Sequence, residues 1–300
     1  MSMKAIWMDG EMVPWDAATV HVTSYGLHYG LGFFEGVRCY AAEGGPAIFR
    51  ATDHLQRLRR SAVHYGLPLP YAVADLVQAC KDVVLANDLT ECYLRPIVFL
   101  GEGPNPLAAK MRVAVIASEN GPMTGPPKPD GVRAKISSFQ RLPANVIPPT
   151  AKATGQYLNS FLAQTEAMMC GFDEALLTNT AGNITDGWAH NIFVVRDNAI
   201  STPPVSAGAL AGITRDSVLR LASHLGVPVV EREMVRADLY TADECFLTGT
   251  AAGVVPVVSV DSRPVGMGEP GPVTGRISGL LKDIAHGHSE LFPEWREAVQ

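Results

Sequence analysis

The chain has 300 residues, 47% of them hydrophobic and 18% charged, and a formal net charge of −6. That length fits two domains or one large one, and that hydrophobic content supports a large core and excludes disorder over most of the chain. The acidic balance, with only 24 scattered Lys and Arg, excludes the basic face of a nucleic-acid binder and the polybasic patch of a membrane-surface protein.

In chain order, Ile6-Trp7-Met8 and Met12-Val13 flank Asp9-Gly10, a hairpin signal. A second hairpin is expected from residues 33–40 and 47–50 around Glu43-Gly44-Gly45-Pro46. Thr52-Asp53 offers a helix N-cap. Leu55, Leu58, Ala62 and Val63 follow at helical spacing, and Gly66 ends the helix. A second helix is expected over 72–87, then strands near 92–99 and 112–117. Residues 120–131 hold three Gly and four Pro, which reads as a proline-stiffened linker. A second unit starts near Val132, with helices near 155–170, 214–225 and 277–285. Its strands are expected near 174–177, 191–195, 227–231 and 254–260. The class is therefore α+β or mixed α/β: a small N-terminal domain (1–119), a linker (120–131) and a larger C-terminal domain (132–300).

Cys39, Cys80, Cys92, Cys170 and Cys245 form no CxxC pair. An odd, scattered set reads as reduced and cytoplasmic. Neither a signal peptide nor an apolar membrane span is expected. Gly30, Gly32 and Gly36 miss the dinucleotide fingerprint by one residue and precede a strand. His286 and His288 lack acidic or cysteine partners at ligand spacing, so no metal is expected.

The remaining candidates are short, polar and rich in small residues. Lys152 stands among small residues just before an apolar helix. Held in a tight pocket it would lose charge readily and could form a Schiff base; the plainer reading is a surface lysine at a helix start. Asp186 precedes an apolar strand, or lies in an ordinary polar turn. Leu210-Ala211-Gly212-Ile213-Thr214 opens a helix whose amides could hold an anion, or is a simple cap by Thr214. Residues 248–253 could form a second anion nest, or a flexible turn. A lysine, a carboxylate and two phosphate-like turns together suit pyridoxal 5′-phosphate.

Those segments carry a resemblance. Phe34-Glu35-Gly36-Val37-Arg38, His54-Leu55-Gln56-Arg57-Leu58, Tyr93-Leu94-Arg95-Pro96, Ala151-Lys152, Gly155-Gln156-Tyr157-Leu158, residues 210–216 and Gly249-Thr250-Ala251-Ala252 resemble, in this order, the class IV pyridoxal-phosphate aminotransferases. Within that class the branched-chain amino acid aminotransferases are nearest. The resemblance implies a two-domain fold type IV architecture with the cofactor at the domain interface, and homodimers or multiples of them. It implies transamination between hydrophobic L-amino acids and 2-oxoglutarate by a ping-pong route through a Lys152 Schiff base. Arg57, the Ile213 and Thr214 amides and Thr250 would hold the phosphate. Tyr157 would meet the ring hydroxyl, Leu210 the ring face and Asp186 the ring nitrogen. Tyr93, Thr250 and Ala251 would take the substrate α-carboxylate, and Arg95 the distal carboxylate of glutamate. Tyr29, Phe34 and Val37 would line the apolar pocket, with Arg38 supporting Tyr93.

The resemblance breaks at three places. Asp186 stands where the family usually has glutamate, one methylene longer. Trp188 and His190 occupy a stretch that is usually small or acidic. Met123 falls where a substrate-contacting tyrosine is common. Two alternatives follow: a specialised natural-product aminotransferase or lyase of the same fold, and a catalytically silent ligand-binding relative.

Overall fold

The computed structural model describes residues 3–119, 128 and 130–300. The expected linker lies mostly outside the described residues, and Met123 wholly so. The chain forms two units, one of Met1–Gly125, Ala151–Gly155 and Asp283–Gln300, the other of Pro126–Thr150 and Gln156–Lys282. The segment with Lys152 and the C-terminal segment thus count with the first unit, not with their neighbours in sequence. Among the described residues no helix is long and apolar enough to cross a membrane.

In the first unit β1 (Ala5–Met8) and β2 (Glu11–Pro14) turn at Asp9 and Gly10, both at positive φ, as a two-residue hairpin requires. Then come α1 (Tyr25–Tyr29), β3 (Gly32–Phe34), β4 (Val37–Ala42), β5 (Gly45–Phe49), α2 (Ala51–Val63), α3 (Val73–Ala86), β6 (Cys92–Leu100) and β7 (Met111–Ser118). The sheet order is the C-terminal strand Arg296–Ala298, β5, β4, β6, β7, β1, β2, with β3 also on β6. Leu55, Leu58 and Ala62 of α2 and Leu76, Cys80, Val83 and Val84 of α3 share one core with Val37, Cys39, Ile48, Leu94, Val98, Val113 and Val115. Ile6, Met8, Phe99 and Ala114 form a smaller cluster of their own. The period-2 alternation of β7, with Val113 and Val115 in one cluster and Ala114 in the other, is what lets one strand serve both.

Two local features depart from expectation. The apolar run at 33–40 is two strands that part at Glu35 and Gly36, where the Glu35 side chain meets His54 and Arg57 on α2. Helix α2 begins at Ala51 after Arg50 at φ 53°, with no side-chain cap from its own neighbours. Its first-turn group Thr52 donates instead to Glu297 from the far end of the chain, through its amide (2.7 Å) and hydroxyl (3.0 Å).

The second unit starts with β8 (Val132–Gln140), followed by α4 (Tyr157–Met169), β9 (Glu174–Thr178), β10 (Ile184–Gly187), β11 (Asn191–Arg196), β12 (Ala199–Thr202), α5 (Ile213–His224), β13 (Val229–Glu231), α6 (Arg236–Tyr240), β14 (Glu244–Gly249), β15 (Gly253–Val260), β16 (Arg263–Pro264) and α7 (Pro272–His286). The sheet order is β10, β9, β8, β15, β14, β11, β12, β13, with β16 on β15. Pairing is parallel for β8 with β9, β8 with β15 and β12 with β13, and antiparallel elsewhere, so the sheet is mixed. Phe193 and Phe246, opposite each other on β11 and β14, stack at 4.9 Å. The mixed α/β class is the one the sequence implies.

Glu297→Ala removes the borrowed cap of α2. It should cost about 1 kcal/mol, read as a fall in Tm of about 2–4 °C. An unchanged melting curve would show that Glu297 contributes nothing to α2.

Candidate active site

The first unit builds a polar cluster on the buried face of α2. His54, Arg57 and Ser61 lie at helical spacing and are all buried. Arg57 donates to the two oxygens of Glu35 side-on, Nε to Oε1 at 2.6 Å and Nη2 to Oε2 at 2.8 Å. His54 Nδ1 donates to Oε2 at 2.7 Å. Glu35 has no exposed surface. Burial pushes its carboxyl up, but the charges of Arg57 and His54 and their hydrogen bonds prevail and hold it well below the usual glutamate range. Burial pushes His54 below its ordinary value, with Arg57 and Lys152 adding to that and Glu35 opposing it.

The same helix face reaches Lys152. The Lys152 amide donates to Ser61 Oγ at 2.9 Å, and Ser61 Oγ donates to the Arg57 carbonyl at 2.9 Å. Phe34 N donates to the Lys152 carbonyl, and Lys152 Nζ lies 4.9 Å from the centre of the Phe34 ring. Small residues flank the lysine: Ala151 and Ala153 are buried, and a Cβ on Gly155 would sit 3.4 Å from the Gly30 carbonyl.

Beside this cluster the Arg95 guanidinium lies 4.6 Å from the Phe34 ring centre and donates to the Tyr93 hydroxyl at 3.3 Å. A Cβ on Gly36 would fall 1.7 Å from that hydroxyl oxygen, so only glycine fits there. Arg38 is opposite Tyr93 across β4 and β6, and its side chain pairs with Glu91 and covers Tyr40. Tyr29 is 65% exposed and stacks on Tyr25. Val37, expected along the apolar pocket, is fully buried in the core and presents no surface in this chain.

The second unit holds the other candidates. Asp186 on β10 is buried, and its Oδ1 accepts from Arg141 Nε and Thr185 Oγ1, both at 2.8 Å. Oδ2 has no partner among the described residues. Arg141, directly after β8, also donates to Ser160 Oγ (2.7 Å) and to the Gly187 carbonyl (2.7 Å), which fixes its plane. Tyr157 opens α4. Helix α5 starts at Ile213 and Thr214 without a side-chain cap. Asn191 Nδ2 ties down the Leu210 carbonyl at 2.9 Å, and its Oδ1 sits 2.0 Å from where a Gly212 Cβ would be. Thr250 and Ala251 form the turn between β14 and β15. Just before it, the Thr248 hydroxyl is buried without a partner among the described residues. The unit also holds a third cluster, where Trp188 Nε1 and His190 Nδ1 each lie 3.2 Å from a Glu174 oxygen.

Known proteins share this architecture. The Escherichia coli branched-chain amino acid aminotransferase structure superposes with a TM-score of 0.96, at 41% identity over 100% of both chains. The T.th. branched-chain amino acid aminotransferase complexed with N-(5′-phosphopyridoxyl)-L-glutamate gives 0.94, at 40% identity and the same coverage. The branched-chain-amino-acid aminotransferase of Salmonella typhimurium is 43% identical over 98% of this chain and 97% of its own length. The family model for amino-transferase class IV matches residues 32–260. The chain belongs to the class IV aminotransferases.

Two residues escaped sequence reasoning. Glu35 stands within a quoted motif, and a lone carboxylate in an apolar run was the available signal of a buried ion pair. Arg141 carried no signal, since its partner lies 45 residues away. Arg141→Ala would leave Asp186 buried and unpaired. It should destabilise the protein by about 3 kcal/mol or more, measured by denaturant unfolding. A loss under about 1 kcal/mol, the size of an exposed pair, would contradict this.

Proposed function

We propose that this chain exchanges the amino group between branched-chain L-amino acids and 2-oxoglutarate with pyridoxal 5′-phosphate, in a ping-pong cycle. We place it in the cytoplasm, as a homodimer or a multiple of dimers. The observation that carries the reading is the buried face of α2, which fixes Arg57 and, through Ser61, Lys152 about one helical turn apart. That is a cation for a phosphate and an amine for an aldehyde, held by one rigid element.

The residues of each unit fit the cofactor. The N-cap of α5 is Gly212, where a Cβ would strike Asn191. An anion suits such a helix start. Asp186 keeps one carboxylate oxygen unpartnered among the described residues, as an acceptor for a ring N–H would need. When bound, the pyridinium ring supplies the electron sink for cleavage at the substrate Cα.

The chain's own groups do the rest. Lys152 Nζ would carry the proton between the substrate Cα and C4′ of the cofactor. Arg57, the Ile213 and Thr214 amides and the Thr250 hydroxyl bind the phosphate. Glu35 holds Arg57 through Nε and Nη2, and the guanidinium fixed in this way would hold the phosphate. Tyr157 hydrogen-bonds the ring hydroxyl, Leu210 packs on the ring, and Asp186 keeps the ring nitrogen protonated. Tyr93, Thr250 and Ala251 bind the α-carboxylate. Phe34 under Arg95 gives one surface two faces: the ring meets an aliphatic side chain, the guanidinium a distal carboxylate. The T.th. relative has been captured with both a phosphopyridoxyl-glutamate and 4-methylvaleric acid, which supports a site with both capacities. Tyr29 completes the pocket, and Arg38 steadies Tyr93 from the neighbouring strand. The shorter Asp186 favours a second reading, a specialised transaminase or lyase of the same fold.

For the homodimer, α4 offers an apolar face: Leu158, Phe161, Leu162, Met168 and Met169 are 50–84% exposed. A contiguous apolar face of this kind suits an interface. Phe161→Glu should shift the sedimenting mass toward the monomer; an unshifted dimer would place the interface elsewhere.

An amino-donor screen with 2-oxoglutarate tests the function. Leucine, isoleucine and valine should lead, and activity confined to another donor class would favour the second reading. Lys152→Ala should abolish turnover, and borohydride reduction should label Lys152; a label on Lys110 or Lys282 would end the assignment. Asp186→Asn should lower kcat at least about 100-fold, or about 2.7 kcal/mol. A fully active Asn variant would show that the reaction runs without a protonated ring.

A further inference from the structure

We propose that Glu35 is a positioning residue for cofactor binding: it sets the plane of the Arg57 guanidinium and thereby makes the site selective for the phosphate group. The inference rests on the pyridoxal-phosphate reading above.

A carboxylate is an unexpected neighbour for a phosphate-binding arginine, since its charge opposes the incoming anion. Glu35 offsets part of the charge of Arg57 and so weakens its pull on a phosphate. What Glu35 contributes is geometry. Arginine has a flexible stem and a rigid planar fork. The side-on contacts at 2.6 and 2.8 Å fix that plane, and His54 at 2.7 Å fixes the carboxylate in turn. The backbone of the same segment is also held. Glu35 N donates to the Pro96 carbonyl at 2.8 Å, and Phe34 N to the Lys152 carbonyl at 3.1 Å.

The result is a frame with two ends. One end of the buried face of α2 carries Arg57 locked to Glu35, and Ser61, one turn further on, accepts from the Lys152 amide. Glu35 follows Phe34, whose ring lies beside the lysine amine. An ion pair that only held the fold together would need none of these ties to the lysine segment.

The test separates charge from position. Full-length wild type, Glu35→Gln and Glu35→Asp are freed of cofactor and titrated by absorbance with pyridoxal 5′-phosphate and, separately, with pyridoxal, which has the same ring without the phosphate. Glu35→Gln removes the opposing charge, so electrostatics alone gives tighter phosphate binding, whereas loss of position gives weaker binding. Glu35→Asp keeps the charge but is too short to span Nε, Nη2 and His54, and it decides the matter should the Gln variant not fold. In both variants the Kd for pyridoxal 5′-phosphate should rise at least about tenfold, with pyridoxal within about twofold of wild type. Unchanged or tighter binding of pyridoxal 5′-phosphate overturns the proposal, as does an equal loss for both ligands. If wild type itself fails to prefer pyridoxal 5′-phosphate over pyridoxal, the cofactor reading falls and takes this inference with it.

Discussion

A fully buried carboxylate stays charged only beside a cation, and in the first unit that requirement ties Glu35 to Arg57. Leaving either partner alone would cost about 3–5 kcal/mol. The fold is arranged around the pair. The strand run breaks at Glu35, whose side chain meets Arg57 on α2. Glycine follows at position 36, where the Tyr93 hydroxyl comes too close for any side chain. Helix α2 must dock with His54, Arg57 and Ser61 inward, and its apolar residues Leu55, Leu58 and Ala62 pack in the same core.

The second unit uses an arginine and carboxylate pair with the roles exchanged. In the first unit the carboxylate of Glu35 holds the plane of an arginine, Arg57. In the second, Arg141 holds the carboxylate of Asp186 by one oxygen. Arg141 is anchored by Ser160 and the Gly187 carbonyl, so the aspartate is oriented by a group that cannot swing. The short side chain of Asp186 makes that orientation matter more, because little of it is left to adjust.

Much of this was legible in the sequence where a short segment carries its own signal. The hairpin at Asp9-Gly10 needs two left-handed residues and has them. The motifs around Arg57, Lys152 and Tyr157 are local, and their order along the chain identified the family before any geometry. What stayed hidden depends on distant partners or on strand parity. Glu35 finds its arginine 22 residues on. The cap of α2 comes from Glu297, 245 residues away. Val37 and Arg38 are neighbours in sequence, yet only Val37 enters the core, which the motif alone could not say. Strand β14 ends inside residues 248–253, where threonine, alanine and glycine read as a turn. Helix α7 extends to Pro272, beyond the expected start, because Gly275 and Gly279 dilute the helical signal.

In the proposed activity, nitrogen passes from a branched-chain donor to the enzyme and on to 2-oxoglutarate. The most direct measurement follows that nitrogen. Full-length enzyme would be incubated with 15N-leucine and 2-oxoglutarate, and the products read by mass spectrometry. The account requires 15N-glutamate and 4-methyl-2-oxopentanoate in equal amounts. Label released as ammonia, or glutamate formed without label, would contradict it.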